Sequence, residues 1–263
     1  MALMHVNFFS RALGVASSVE VILPESDQGI GVTASGDASG KPALPKVLYL
    51  LHGYSDDHTI WQRRTSVERY AARHNLAVVM PAVNHSFYCN EVYGERYWDY
   101  VAEELPRQMQ HFFRLSDKPE DTFVAGLSMG GYGAMKLALN FPERFGAAAS
   151  FSGAADIVAM SARRKDDWNR VFGRRKVEGT DCDLFHLMKK NGAAPCKPRL
   201  YVSCGTADFL FGQHQKFVPA LRENGWDVTS YEEEGAVHEW GFWDREIAKF
   251  IDWALSPAPA QEE

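Results

Sequence analysis

The stretch Thr122-Phe123-Val124-Ala125-Gly126-Leu127-Ser128-Met129-Gly130-Gly131-Tyr132-Gly133 decides the architecture. An apolar run ends at Gly126, and the residues from Met129 through Lys136-Leu137-Ala138-Leu139 read as a helix. Between them lies a G-x-S-x-G pattern made of Gly126, Ser128 and Gly130. At average glycine and serine usage such a pattern arises by chance in roughly one chain in ten of this length, so its weight comes from the strand–turn–helix setting. The turn has to be sharp enough to lift the Ser128 side chain above a sheet. Bulky neighbours two residues to either side would clash there, and the serine backbone is held in a strained region. The N–H of Met129 then sits at a helix N-terminus, where the helix dipole helps it to donate to an oxyanion.

Working outward, short apolar runs alternate with longer amphipathic ones. Strands are predicted over 19–23, 47–51, 77–81, 122–126, 147–151, 199–204 and 227–231, and helices over 61–74, 101–113, 129–140, 217–224 and 240–255. The first strands fall close together, as in a hairpin. After them strand and helix alternate, which implies an α/β fold with a mostly parallel, twisted sheet covered by helices on both faces. The 263 residues fit one such domain, 1–263, and no internal repeat divides it. Residues 154–195 break the rhythm with a polar stretch carrying Trp168, Phe172 and Phe185. That stretch reads either as an insertion over the carboxyl edge of the sheet, where open α/β sheets bind ligands, or as a peripheral helix pair. Residues 32–45 read as a loop and the tail 256–263 as flexible.

Composition bounds the partners. Hydrophobic residues make up 46% of the chain and aromatics 13%, enough for a sizeable core. The formal charge of -6 argues against nucleic acid and anionic membrane as partners. Two basic runs, Arg163-Arg164-Lys165 and Arg174-Arg175-Lys176, read as solvated surface. Cys89, Cys182, Cys196 and Cys204 form no C-x-x-C pair and match no zinc spacing, so each is expected to be a small buried residue. No basic segment followed by a long apolar run opens the chain, and no apolar stretch reaches membrane-spanning length. These features predict a cytoplasmic protein with reduced thiols.

The remaining chemistry is placed by order along the chain. His52-Gly53-Tyr54 follows an early strand, the usual position for a second oxyanion donor, here the N–H of Tyr54. His52 is expected to brace this loop. With a serine nucleophile at a strand–helix turn, the acid and then the histidine follow in sequence, which leaves His186, His214 and His238. His238 lies between the last strand and the last helix and is the expected base. Asp208, after the strand over 199–204, is the expected acid, with Asp156 as the second candidate. His238 would remove the Ser128 proton and return it to the leaving alcohol, and Asp208 would hold the imidazole in the required tautomer. This chemistry calls for no metal and no organic cofactor.

At this point the chain resembles a known family. The residues that carry the likeness begin with Leu51-His52-Gly53, Trp61, Arg64-Thr65, Val67-Glu68-Arg69, Val78-Val79-Met80-Pro81 and Glu103-Glu104-Leu105-Pro106. They continue through Ala125-Gly126-Leu127-Ser128-Met129-Gly130-Gly131-Tyr132-Gly133, Ala149-Ser150-Phe151-Ser152-Gly153, Val171-Phe172-Gly173, Asp208-Phe209-Leu210 and His238-Glu239-Trp240. Together they resemble the tributyrin esterases of the esterase D group, which also includes S-formylglutathione hydrolases and bacterial feruloyl and acetyl esterases. The resemblance implies the α/β-hydrolase fold and hydrolysis of short acyl esters. Ser128, Asp208 and His238 would be its triad, and Tyr54 and Met129 its oxyanion donors. It also implies homo-oligomers, which members often form. Asn84-His85-Ser86-Phe87-Tyr88-Cys89-Asn90 stands where S-formylglutathione hydrolases carry a different segment, so that subgroup is the weaker match.

Aromatics cluster near the expected site. Trp61, Trp168, Phe209 and Trp240 are the candidate substrate-binding residues, with Trp168 as an insertion aromatic for a phenolic ring. The substrate expected is a small-molecule ester with an acetyl to butyryl chain, with hydroxycinnamate esters as the alternative. An acyltransferase, a peptidase and a non-catalytic binding protein on the same scaffold are the other readings that the triad residues leave open.

Overall fold

A computed structural model of the chain describes residues 1–25, 43–160 and 165–255. Most of the 32–45 loop, Arg163 and Arg164 of the first basic run, and the 256–263 tail lie outside the described residues. The strands are β1 (Ala2–Ser10), β2 (Val15–Leu23), β3 (Lys46–Leu51), β4 (Leu76–Pro81), β5 (Thr122–Leu127), β6 (Ala147–Phe151), β7 (Arg199–Gly205) and β8 (Val228–Glu233). They form one sheet in the order β1-β2-β4-β3-β5-β6-β7-β8. β2 runs antiparallel to both β1 and β4, and every pairing from β4 to β8 is parallel.

The expected hairpin between residues 19–23 and 47–51 is therefore corrected. β2 pairs with β1 and β4 and never with β3, and the hairpin partner is β1. β1 went unpredicted because it is an edge strand with one partner and an outer row of exposed side chains, so its sequence lacks a continuous apolar run.

Alternation along the inner strands explains how the sheet is covered twice. Val47, Tyr49, Leu51, Val79 and Val124 face one core, together with Tyr132, Met135 and Leu139 of α5 (Met129–Asn140) and Phe217 and Leu221 of α9 (Phe211–Glu223). Leu48, Leu50, Val78, Phe123, Ala125 and Phe151 face the other core. There they meet Trp61 of α1 (Ile60–Arg64), Val67 of α2 (Val67–Ala71), and Phe242, Ile247 and Phe250 of α10 (Trp240–Leu255).

Three helices differ from their predicted form. The 61–74 helix is broken into α1 and α2 by Thr65. Its hydroxyl donates to the Trp61 carbonyl and accepts from the Val67 N–H, ending one helix and starting the next. The 101–113 helix starts earlier, as α3 (Tyr97–Asp99), and passes through a π-helical turn at Tyr100–Glu104 into α4 (Leu105–Phe112). In that turn the buried Glu104 carboxylate accepts from Ser10 Oγ and from the N–H groups of Arg11 and Ala12, pinning the β1–β2 turn to the helix. α9 begins at Phe211 and carries Pro219 inside it, a residue whose preference for first turns hides the two turns before it.

Between β6 and β7 run α6 (Ile157–Met160), α7 (Lys165–Phe172) and α8 (Leu184–Lys190). α8 packs beside α5 and α9. α7 is tied to the segment after β4: Val92 N–H and Tyr93 N–H donate to the carbonyls of Val171 and Arg170, and Arg170 pairs with Glu91 at 3.1 Å. The expectation that all four cysteines are buried is corrected at two positions, since Cys196 is exposed and Cys182 half-buried.

A close backbone approach positions the site. A Cβ on Gly130 would lie 2.3 Å from the Leu51 carbonyl oxygen and 2.7 Å from that of His52, and one on Gly126 would lie 2.4 Å from the Gly130 backbone. Only glycine lets α5 start so close to the end of β3. Beside this contact His52 is buried. Its Nδ1–H donates to the Gly53 carbonyl at 2.7 Å and its Nε2 accepts from the Val83 N–H at 3.1 Å, so a neutral ring joins the loops after β3 and β4.

Two outcomes are expected. Gly130→Ala destabilises the fold by about 2–4 kcal/mol through backbone overlap, read as a lowered calorimetric Tm; an unchanged Tm contradicts the close approach. Burial lowers the His52 pKa to about 4, against the opposing hydrogen bond to Gly53. A histidine held below its ordinary value favours folding fully only above that value, and the contribution shrinks as pH falls from about 6.5 towards 4. Urea midpoints measured across that window should fall for the parent chain and fall less for His52→Gln.

Candidate active site

Ser128 sits at the end of β5 with φ 52° and ψ -115°, a left-handed backbone that a serine adopts only under constraint. Its N–H donates to the Phe151 carbonyl at 2.9 Å, and its own carbonyl accepts from Tyr132 and Ala154 at 3.1 Å each. The strained residue is therefore held by its backbone to the end of β6 and to the first turn of α5, leaving its side chain to face a cleft. Met129 opens α5, so its N–H belongs to the unpaired first turn of that helix.

The loop after β3 brings Tyr54 to the same cleft. Its ring stacks on His85 with centroids 4.1 Å apart and planes 11° apart, and its hydroxyl donates to Asp167 of α7. The loop is thus fixed on one side by His52 and on the other by α7.

Asp208 follows β7 and His238 follows β8. The loops that carry them are stitched together, Thr206 N–H to the Glu233 carbonyl at 2.9 Å and Ala207 N–H to the Ala236 carbonyl at 3.0 Å. His238 Nδ1 donates to Asp208 Oδ2 at 2.8 Å, and the Leu210 N–H donates to Oδ1 at 2.8 Å. The carboxylate has no exposed side-chain surface. Burial alone would raise its pKa, but the bonds from His238 and Leu210 outweigh it and hold the group below the usual carboxylate range. The imidazole lies between Phe209, at 4.5 Å between centroids, and the edge of Trp243, at 4.8 Å and 85°. Trp243 Nε1 donates to Ser152 Oγ at 3.1 Å, so the ring that flanks the histidine is itself anchored.

Gly53, Tyr54, Ser55, Asp56, Leu127, Ser128, Phe209, His238, Glu239, Trp240 and Trp243 line one cleft of about 470 Å³. It therefore gathers Ser128, His238, Tyr54, Phe209 and Trp240 from the residues expected from sequence, with Asp208 buried behind His238. Trp61 does not line it. That ring is 1% exposed, donates from Nε1 to the Leu51 carbonyl and meets Trp240 edge-on at 5.2 Å. Trp168 does not line it either, and packs on Phe172 at 4.5 Å between centroids. Sequence reasoning missed Glu239 and Asp56, and counted Trp243 among the aromatics near the site without choosing it as a binding residue. Trp243 had a signal, since it falls three residues after Trp240 and shares its helix face.

The competing residues are engaged elsewhere. Asp156 Oδ1 accepts from the Ala159 N–H at the start of α6. His214 Nε2 lies 3.3 Å from Glu232 Oε1, and His186 sits in the first turn of α8, where its backbone N–H donates to Asp183. A second hollow of about 270 Å³, lined by Val47, Tyr49, Leu137 and Phe145 among others, lies where the parallel strands begin and contains no serine, cysteine or histidine. Among the described residues no group of three or more His, Cys, Asp or Glu side chains could hold a metal ion, and no helix is long and apolar enough to cross a membrane.

Comparison with known proteins places this geometry. The model of the Esterase family matches residues 19–251. An acetyl esterase of Caldicellulosiruptor saccharolyticus is 32% identical over 265 residues, covering 96% of this chain and 98% of the relative. The substrate-bound structure of the fluorophosphonate-binding serine hydrolase F of Staphylococcus aureus superposes with a TM-score of 0.86 at 34% identity, covering 97% of this chain and 99% of that one. An S-formylglutathione hydrolase of the same organism gives 0.84 at 34% identity over the same shares. The chain belongs to the Esterase family, in the esterase D group of the α/β-hydrolase superfamily, and is a carboxylesterase.

Proposed function

We propose that Ser128, His238 and Asp208 form a catalytic triad that hydrolyses neutral esters of short acids, acetyl to butyryl, through an acyl-enzyme. The observation that carries the reading is the 2.8 Å bond from His238 Nδ1 to a buried Asp208, in a cleft that His238 shares with Ser128. His238 Nε2 takes the Ser128 proton as Oγ attacks the ester carbonyl. The N–H groups of Tyr54 and Met129 hold the tetrahedral oxyanion, each such donor contributing about 3 kcal/mol in the transition state. Collapse breaks the ester bond, and His238 gives its proton to the departing alcohol. Water then repeats the sequence on the acyl-serine and releases the acid. Asp208 stays ionised throughout, in keeping with its lowered pKa.

The lining supports neutral substrates. Asp56 and Glu239 contribute carboxylates to the cleft, and the lining residues include no lysine or arginine. An anionic thioester such as S-formylglutathione meets like charge there, so the likeness to a staphylococcal S-formylglutathione hydrolase stands as the second reading. The segment 154–195 is proposed to act as a cap through α7, whose Asp167 holds Tyr54.

Purified enzyme should cleave p-nitrophenyl acetate and butyrate, with S-formylglutathione and methyl ferulate turned over more slowly. Faster cleavage of either of the last two reassigns the substrate. Ser128→Ala should lower kcat by about 10⁵–10⁶-fold and abolish labelling by a fluorophosphonate; near-normal turnover moves the nucleophile elsewhere. Asp208→Asn should lower kcat by about 10⁴-fold while Asp156→Asn stays close to the parent chain, and the opposite ranking would reject Asp208 as the acid.

A further inference from the structure

Two turns along α5 from Ser128, the side chain of Lys136 is buried, with 1% of the residue exposed. Its Nζ donates to the Tyr88 carbonyl at 3.1 Å and to Cys89 Sγ at 3.3 Å, and lies 4.0 Å from the centroid of the Trp98 ring. A buried ammonium needs a counter-charge; among the described residues no carboxylate is in hydrogen-bond contact with this one, although Asp181 acts on it at longer range. The group in direct contact that can supply it is Cys89. Burial raises the Cys89 pKa, but the hydrogen bond from Cys182 and the Lys136 charge outweigh it and bring the thiol down to about 6. The Phe87 carbonyl, 3.1 Å from the same sulfur, opposes that charge, and the Tyr132 hydroxyl at 3.8 Å gives its proton to the Cys182 carbonyl at 2.7 Å.

The second thiol is already in place. Cys182 Sγ lies 3.5 Å from Cys89 Sγ, although 93 residues separate the two in sequence. Cys182 is half-buried and, with Lys136, Trp98 and Asp181, lines a cleft of about 190 Å³; Cys89 is buried behind it and is not part of that lining. Ester hydrolysis uses none of these groups.

We propose that Cys89 and Cys182 are a thiol-oxidation site, at which a peroxide entering the cleft beside Lys136 passes Cys182 to reach Cys89 behind it, is reduced to water, and a reversible disulfide is formed. The Cys89 thiolate attacks one peroxide oxygen and the O–O bond breaks. Cys89 becomes a sulfenic acid, and the hydroxide released takes up a proton as water. The Cys182 sulfur then attacks the Cys89 sulfur, the S–O bond breaks, and hydroxide leaves with the Cys182 proton as a second water. Two thiols and hydrogen peroxide give one disulfide and two waters, with both electrons drawn from sulfur. The sulfurs need only close from their present contact to bonding distance, about 2.05 Å.

The test treats the full chain with hydrogen peroxide, blocks remaining thiols with iodoacetamide and maps the peptides by mass. The expected product has lost two hydrogens, carries a Cys89–Cys182 cross-linked peptide and reverts with dithiothreitol. It should form at least about tenfold faster than oxidation of exposed Cys196. In Cys182→Ser the cross-link should vanish and Cys89 should be trapped by dimedone as the sulfenic acid. Cys89 and Cys182 both remaining alkylatable under peroxide that oxidises Cys196 would overturn the proposal, as would a cross-link to Cys196 or Cys204. The mapping of the parent chain decides the matter even if the serine variant does not fold.

Discussion

Backbone contact between the first turn of α5 and the end of β3 governs the rest of the site. At Gly130 the two segments are too close for any side chain, and Gly126 has the same relation to Gly130. This approach forces Ser128 into its left-handed conformation, at a cost on the order of 1–3 kcal/mol. Three backbone hydrogen bonds at the same residue, to Phe151, Tyr132 and Ala154, keep the conformation from relaxing. The contact also sets the distance between Met129 and Tyr54, because α5 and the β3 loop cannot slide past one another without overlap.

Sheet register carries that constraint sideways. Gly126 pairs with Ser150 and Ser150 with Val202, so the ends of β5, β6 and β7 lie side by side. Ser152, another positive-φ residue, donates its N–H to the Ser203 carbonyl and receives Trp243 on its hydroxyl. The β7 and β8 loops are then tied to each other before either reaches the cleft. The Asp208–His238 bond thus joins two loops whose spacing the sheet has already fixed, which is how groups 80 and 110 residues beyond Ser128 can be held in place.

What could be read from the sequence follows from how local each determinant is. The elbow was legible because its glycines act within five residues, and the inner strands because their apolar runs are uninterrupted. Asp208 and His238 could be named from chain order, since parallel strands deliver their following loops to one edge. The β1 strand was not legible, because its pairing with β2 rather than its own pattern stabilises it. The same holds for the aromatics. Trp61 is near His52 in sequence, yet its indole turns inward to the Leu51 carbonyl, while Trp243 reaches the cleft through its position on α10. Composition shows that rings are abundant; only tertiary packing decides which ones meet a ligand.

α5 links the two chemistries. Its first residue can offer an N–H to an oxyanion, and its eighth, Lys136, is buried between the Tyr88 carbonyl and the Cys89 sulfur. Tyr88, one of the positive-φ residues of the loop after β4, donates its hydroxyl to the His52 carbonyl at 2.9 Å, and His52 in turn braces the loop that carries Tyr54. A change in charge at the cysteine pair would therefore act beside a residue that bonds the loop carrying Tyr54. Converting the thiolate to a disulfide would take the nearest negative charge from Lys136, leaving its ammonium with the Tyr88 carbonyl, the Trp98 ring and the more distant Asp181. The buried lysine is consequently the element through which oxidation at one end of the helix would be felt at the other.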